Sequence, residues 1–380
     1  MTGFNKLKVM VVAGTRPEWI RLAATIHALK AAVDTVIVHT GQNYDYELNE
    51  VFFEDLDLGK PDYFLGAAAA TTAQTIGKII AEVDQVIRDE MPDAVLLLGD
   101  TNSCMAAISA RKNKVPVYHM EAGNRCFDFN VPEELNRRVV DHVSDFNLCY
   151  TEHARRHLLA EGLPHRRVYV TGSPMREVLD RFRGRIDASD ILDRLKLKSK
   201  GYFIASFHRE ENVDNAKHLK AIIDALDNLS QEYGIKTVVS THPRTRKRME
   251  AFGIKAPDTM EFLKPFGFHD YNKLQLEALC AISDSGTISE ESSMLGFPAV
   301  TIRNALERPE AMDTGAIIIT GLRSDVISLG VKQAVQDYRA GKDIDVPADY
   351  KITNTSQRVL RLIIGTAGLN ARWHGLDLPV

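Results

Sequence analysis

Three carboxylates follow apolar runs at spacings that suit proton chemistry. Asp100 comes just after Ala94–Leu98, in Gly99-Asp100-Thr101-Asn102; Glu121 ends the run Val115–Met120 and begins Glu121-Ala122-Gly123-Asn124-Arg125. Glu133 lies in Pro132-Glu133-Glu134, which opens a segment with helically spaced Leu135, Val139, Val140 and Val143. Carboxylates gathered in one place raise one another's pKa and separate acid from base roles. Singly, each has a plainer use: Asp100 as a helix cap, Glu133 as a first-turn acid favoured by the helix dipole.

A second set could grip an anion. Gly14-Thr15-Arg16-Pro17-Glu18 follows the first apolar run. It lacks the third glycine of a dinucleotide fingerprint. It keeps a tight turn, a proline suited to a first helical turn, and Arg16 beside a helix N-terminus, which suits a phosphate; a salt bridge to a neighbouring loop is the alternative. In the second half, Ser206-Phe207-His208-Arg209-Glu210-Glu211-Asn212, Thr241-His242-Pro243-Arg244 and Ser283-Asp284-Ser285-Gly286-Thr287 each follow an apolar run. Ser285, Gly286 and Thr287 offer N–H groups and hydroxyls at a helix start. Glu291, one turn on, is placed to accept from ribose hydroxyls; a capped helix with a solvated Glu pair would look the same. Arg308 lies in Glu307-Arg308-Pro309-Glu310. The cluster Arg244, Arg246, Lys247 and Arg248 reads as a solvated helix face, and His27, His153, His157 and His165 have no ligand spacing.

The elements that must position these groups alternate. Strands are expected at Lys8–Ala13, Thr35–His39, Ala94–Leu98, Val115–Met120, Asp145–Tyr150 and Arg167–Val170, with helices at Glu18–Lys30, Thr72–Glu90 and Ser103–Lys112 between them. A second series runs through Tyr202–Ser206, Thr237–Ser240, Met260–Phe262, Ala281–Asp284, Ala299–Ile302 and Ala316–Ile319. Near-continuous apolar strands joined by helices imply parallel sheets covered on both faces. The fold class is therefore α/β, with two Rossmann-like domains facing a cleft: an N-terminal domain over residues 1–180 and a C-terminal one over 200–355, hinged near 175–200. A helix near 356–380 could return to the first domain. Ligands of such sheets bind past the carboxyl ends of the strands, where all the groups above lie.

Bulk composition agrees. At 380 residues the chain exceeds the usual limit of one core. Its 47 Lys and Arg against 51 Asp and Glu, a formal charge of −4, argue against nucleic acid as a partner. The four cysteines have neither zinc nor redox spacing, so no metal is expected, and they fit a reducing compartment, the cytoplasm. No apolar stretch approaches a membrane span, and the N-terminal apolar run is too short for a signal peptide.

Together these loops resemble the non-hydrolysing UDP-N-acetylglucosamine 2-epimerase family. The matching pieces, in order, are Gly14 to Glu18, Thr40-Gly41-Gln42, Gly99-Asp100-Thr101, Glu121-Ala122-Gly123, Pro132-Glu133-Glu134 with Arg137, Gly172, His208-Arg209-Glu210, Asp284-Ser285-Gly286, Glu290-Glu291 and Glu307 to Glu310. The resemblance implies a glycosyltransferase-B-like architecture and inversion of a UDP-sugar at C2 by elimination and re-addition of UDP, with no cofactor. It maps catalytic carboxylates onto Asp100, Glu121 and Glu133, and contacts to UDP onto Arg16, His208, Ser285, Gly286, Glu291 and Arg308. Arg21 takes the place of an active-site lysine. His242 and Thr287 join the UDP-binding set through their loops. Departures at Gly123 to Asp128, at Ser285-Gly286-Thr287 and in the loop Thr40 to Glu50 resemble the capsule and O-antigen branch. That branch converts UDP-2-acetamido-2,6-dideoxy-L-talose to UDP-N-acetyl-L-fucosamine. UDP-N-acetylglucosamine is the alternative substrate, and a homodimer is expected. A glycosyltransferase of the same architecture would need an acceptor and leave the three carboxylates unexplained.

Overall fold

The computed structural model describes residues 6–42, 53, 56–305, 307–342 and 345–373. Two compact units divide the chain: one of residues 1–181 with 352–380, the other of 182–351. Each is a Rossmann-like α/β domain with its own parallel sheet.

The first unit holds β1 (Lys8–Ala13), β2 (Asp34–His39), β3 (Tyr63–Phe64), β4 (Ala94–Leu98), β5 (Val117–Met120), β6 (Phe146–Cys149) and β7 (Val168–Val170). Their order in space is β3-β2-β1-β4-β5-β6-β7, every pair parallel. All five residues of β4 are buried, because helices cover both faces. On one side Met10, Val12, Val95 and Leu97 pack against Ile79, Val83 and Ile87 of α2 (Thr72–Glu90) and Ala107 and Ala110 of α3 (Ala106–Lys112). On the other, α1 (Arg16–Ala32) buries Trp19, Leu22, Ala23 and Ile26. A capping box between Thr15 and Glu18 starts α1.

Two further helices matter for the site, α4 (Pro132–Val143) and α5 (Glu152–Ala160). The C-terminal helix Thr355–Thr366 belongs to this unit too. It packs on α1, its Thr355 hydroxyl donates to the Thr171 carbonyl at 3.0 Å, and Thr366 bonds Tyr118 at 2.6 Å. Residues 374–380 of the expected terminal helix lie outside the described residues.

The second unit repeats the plan with β8 (Tyr202–Ser206), β9 (Lys236–Ser240), β10 (Met260–Leu263), β11 (Cys280–Ser283), β12 (Ala299–Thr301) and β13 (Ile318–Ile319), in the order β10-β9-β8-β11-β12-β13. Phe203, Ala205, Val239 and Ile282 face Leu219, Ile222, Leu226 and Leu229 of α6 (Ala216–Tyr233). Tyr202, Ile204, Val238 and Ala281 face the opposite layer.

Both sheets reverse direction of growth at their first strand, between β1 and β4 and between β8 and β11. Such a switch point opens a crevice at the carboxyl ends of the strands. The structure shortens some expected strands. Pro116 has no N–H to give a ladder, and β5 begins after it. Asp145 stays outside β6, where its carboxylate accepts the Val117 N–H at 2.9 Å.

Candidate functional site

In the first unit the loops after β1 and β4 flank the switch point. Gly14 fills the bottom of its turn: a Cβ there would stand 1.9 Å from Thr40 Oγ1 and 2.5 Å from Ser103 Oγ. Glu18 reaches back into the turn. It accepts from Gly14 N (3.1 Å), Thr15 N (2.7 Å) and Thr15 Oγ1 (2.7 Å), and its other oxygen takes Thr101 Oγ1 at 2.9 Å. One carboxylate thus ties the Arg16 turn to the turn that carries Asp100. Burial pushes the Glu18 carboxyl up to about 7, against the pull of its hydrogen bonds.

Asp100 is held by Arg137 of α4, whose Nε donates at 2.8 Å and whose Nη2 stands 2.7 Å away. Asn136 donates to the Asp100 carbonyl at 2.9 Å. Glu121 is buried and has φ +66°, a left-handed conformation uncommon away from glycine. Its carboxylate forms an ion pair with Arg21 and accepts from Asn124 Nδ2 at 3.4 Å. Strands β4 and β5 are neighbours, and a Cβ on Gly99 would lie 3.8 Å from Glu121 Oε2. The structure therefore places Glu121, with Arg21 paired to it, beside the turn that carries Asp100. Backbone strain at a charged residue is a common mark of a functional position.

Glu133 stands half-buried in the first turn of α4, and Arg16 half-buried at the start of α1. Glu134, not singled out from sequence, is the buried one of the pair at the α4 start. It accepts from Cys126 N (3.0 Å), Arg137 Nη1 (3.3 Å) and Arg138 Nε (3.2 Å). The three- and four-residue spacing of Glu134 to Arg137 and Arg138 was a usable signal. Among the described residues no group of three or more His, Cys, Asp or Glu could hold a metal ion.

The second unit builds its crevice around Asp284, which is fully buried. Asp284 accepts from His208 N (2.9 Å), Arg209 N (2.9 Å) and Asn212 Nδ2 (2.9 Å), and His208 Nδ1 stands 3.1 Å away. Burial alone would push this carboxyl up. The nearby His208 ring and the three donors outweigh it and hold it at about 2. Asp284 so fixes the loop after β8 against the loop after β11. The rings of His208 and His242 lie 5.6 Å apart, and His242 Nδ1 caps the next helix, Pro243–Phe252, by accepting from Arg244 N at 3.1 Å.

Ser285, Gly286 and Thr287 form the turn into the helix Ile288–Leu295. Ser285 and Gly286 line a small open pocket whose walls include Arg303, Glu307 and Arg308. Arg308 Nη1 donates to the Gly286 carbonyl at 3.1 Å and pairs with buried Glu290; Arg303 pairs with Glu307 at 2.8 Å. A helix N-terminus beside two nearly buried guanidinium groups is suited to a diphosphate. Glu291 takes Gln275 Nε2 at 2.8 Å. Sequence reasoning missed Arg303, although its partner Glu307 stands only four residues on. The helix face of Arg244, Arg246, Lys247 and Arg248 is solvated as expected, with Arg246 and Lys247 exposed and Arg244 and Arg248 partly so. From that face Arg244 and Arg248 reach Asp214, at 2.5 and 2.9 Å, and Arg244 pairs with Glu210, so the face also braces the loop after β8. These partners hold the Asp214 carboxyl well below the usual range.

Two Rossmann-like units, each with charged side chains gathered at its switch point, give the chain the glycosyltransferase-B-like fold of nucleotide-sugar enzymes. Residues 27–364 match the model of the family described as UDP-N-acetylglucosamine 2-epimerase. A solved UDP-N-acetylglucosamine 2-epimerase from Rickettsia bellii is 47% identical, with a TM-score of 0.89 over 97% of this chain and 98% of that one. The Methanocaldococcus jannaschii UDP-GlcNAc 2-epimerase, solved in complex with UDP-GlcNAc and UDP, is 32% identical, with a TM-score of 0.88 over 94% of this chain and all of that one. A Pseudomonas aeruginosa relative, UDP-2,3-diacetamido-2,3-dideoxy-D-glucuronate 2-epimerase, is 34% identical over 84% of this chain and 90% of its own length. The chain belongs to the UDP-N-acetylglucosamine 2-epimerase family. It is an isomerase of the non-hydrolysing kind, a UDP-sugar 2-epimerase. Among the described residues no helix is long and apolar enough to cross a membrane.

Proposed function

We propose that the chain inverts C2 of UDP-2-acetamido-2,6-dideoxy-L-talose to give UDP-N-acetyl-L-fucosamine, for capsule or O-antigen precursors, by elimination and re-addition of UDP. The C2 proton of such a sugar has no neighbouring carbonyl, so direct abstraction is slow. Opening the C1–O bond first gives C1 oxocarbenium character. A carboxylate then takes the C2 proton, the C1=C2 double bond of a 2-acetamidoglycal forms, and UDP leaves with the electron pair of the C1–O bond. Return of UDP to C1, with protonation of C2 on the opposite face, completes the inversion.

The second unit's Ser285–Thr287 turn, Arg308, His208, His242 and Glu291 hold UDP and take up the charge of the leaving diphosphate. Such preorganised donors are worth about 3–4 kcal/mol each in comparable sites. Asp100, Glu121 and Glu133 of the first unit exchange the proton, with Arg21 and Arg16 as supporting cations. The observation that carries this assignment is the strained, buried Glu121 carboxylate beside the Asp100 turn.

The 6-deoxy-L-talo substrate is supported by the departures in the loop after β5. There Cys126 and Phe127 stand where the wider family has Thr and Gly, and Phe127 is exposed. An apolar ring suits a methyl group better than a hydroxymethyl. The R. bellii relative favours UDP-N-acetylglucosamine as the second reading. We further infer a cytoplasmic homodimer, on family resemblance.

Turnover of each UDP-sugar in deuterated water, followed by NMR, tests both levels. Deuterium at C2 of the product is expected, with the L-talo compound turned over fastest. Product free of solvent deuterium would remove the elimination route, and faster turnover of UDP-N-acetylglucosamine would remove the substrate assignment.

A further inference from the structure

His119 lies on β5, two residues before Glu121, and is almost fully buried. Its ring sits between two acceptors. Nδ1 is 2.8 Å from Asp141 Oδ1, and Nε2 is 2.8 Å from the Gly99 carbonyl oxygen. A neutral imidazole has one N–H. It would serve one acceptor and aim a lone pair at the other, in a place closed to water. An imidazolium serves both.

The charges facing the ring accommodate a cation. Asp141, on α4, also accepts from Arg125 Nη1 at 2.7 Å and from Gly123 N at 3.1 Å. Arg125 continues to Glu161, just past α5, through two bonds of 2.8 and 2.7 Å, and Glu161 faces Arg138 and His142 at the surface. From β6, Asn147 donates to the Asp141 carbonyl at 3.0 Å. The thiols that feel Asp141, Cys104 and Cys149, are pushed well up by burial and stay neutral. Asp141 and Glu161 thus balance Arg125 and a charged His119.

This chain of contacts ends on the two turns that matter. The Gly99 carbonyl immediately precedes Asp100. The Gly123 amide lies two residues past Glu121 and is itself confined: its φ is +84°, and a Cβ there would meet Ala154 O at 2.3 Å. We propose that His119 is a positioning residue, held as an imidazolium, that couples the Asp141 carboxylate to the Gly99–Asp100 turn and so sets the Asp100 carboxyl group against that of Glu121. Its kinetic consequence rests on the epimerase reading; its protonation state rests on the ring contacts alone.

Nitrogen-15 NMR of the histidine-labelled full chain, with the His119 signal assigned by its loss in His119→Asn, tests the state directly. Both ring nitrogens should show protonated-type shifts from about pH 6 to pH 8, the range in which an ordinary imidazole loses its proton. One unprotonated nitrogen in that range, whether from a neutral ring or from a proton resident on Asp141, overturns the proposal. Turnover tests the consequence. His119→Asn and His119→Phe should lose about 10²-fold in kcat, as small misplacements of reacting groups do, with KM within about twofold. Folded variants, matched to wild type by far-UV circular dichroism, that keep full kcat also overturn it. Should neither variant fold, the wild-type spectrum still decides, with assignment through Asp141→Asn. A wild-type chain inert toward every UDP-sugar would instead sink the epimerase reading and leave the spectrum to judge His119.

Discussion

Asp284→Asn isolates the part of the second unit that sets its crevice. The carboxyl is fully buried and held at about 2 against an ordinary 3.8. At 1.36 kcal/mol per pKa unit, that depression contributes about 2 kcal/mol to folding at neutral pH. An amide can keep its oxygen toward the three donors at Oδ2, but its NH2 then faces His208 in place of a charge acceptor. Loss of charge-assisted bonding raises the expected cost to about 2–3 kcal/mol. The sign with pH follows from the depressed value. The stabilisation is present above the unfolded pKa and is lost as pH falls through the folded one, so the gap between wild type and variant should narrow from about pH 4 to about pH 2. Urea unfolding followed by circular dichroism at neutral and acid pH measures the gap, and calorimetry with UDP measures the effect on the crevice, where weaker binding is expected. Equal midpoints at neutral pH, or a gap that widens on acidification, would refute the role given to Asp284.

Three further outcomes are expected. Asp100→Asn and Glu121→Gln should each cost about 10²-fold or more in turnover with far-UV dichroism unchanged, read by single-substrate kinetics. Arg21→Met removes the cation paired with Glu121 and leaves that buried carboxylate without its counter-charge, so kcat should fall about 10²-fold or more, read by single-substrate kinetics. Glu18 titrates in the folded chain near about 7, so the stability it contributes is present below its ordinary 4.5 and is lost as pH rises through 7, an effect of about 3 kcal/mol. Glu18→Gln should flatten the fall in stability between about pH 5 and 7, read from urea midpoints across that range.

What the sequence discloses and what it hides divide along a physical line. The strands were legible because a parallel sheet buried on both faces needs unbroken apolar runs; Ala94–Leu98 is one and is buried throughout. The two-residue edge strand Tyr63–Phe64 has no such run and left no trace. The candidate site positions were read as loops after strands, where the doubly wound topology puts ligands, and the structure does place those loops past the strand ends. The choice among charged neighbours was not. Successive helix residues point about 100° apart, so whether Glu133 or Glu134 turns inward depends on where Cys126 stands as well as on the nearby Arg137 and Arg138, whose spacing is the one local cue.

The same holds for buried ions paired across long stretches of chain. Arg21 meets Glu121 across 100 residues and Asp284 meets His208 across 76. Burying a charge costs several kcal/mol unless a partner meets it. Such groups therefore sit where the fold guarantees a partner, and the edge of a switch point, crossed by several loops from distant parts of the chain, is such a place. In the first unit Glu121 pairs with Arg21 and Asp100 with Arg137. In the second, Arg303 and Arg308 are balanced by Glu307 and Glu290. A chain that kept all its motifs but lost these counter-charges would keep the family's signature and lose the geometry that proton transfer requires.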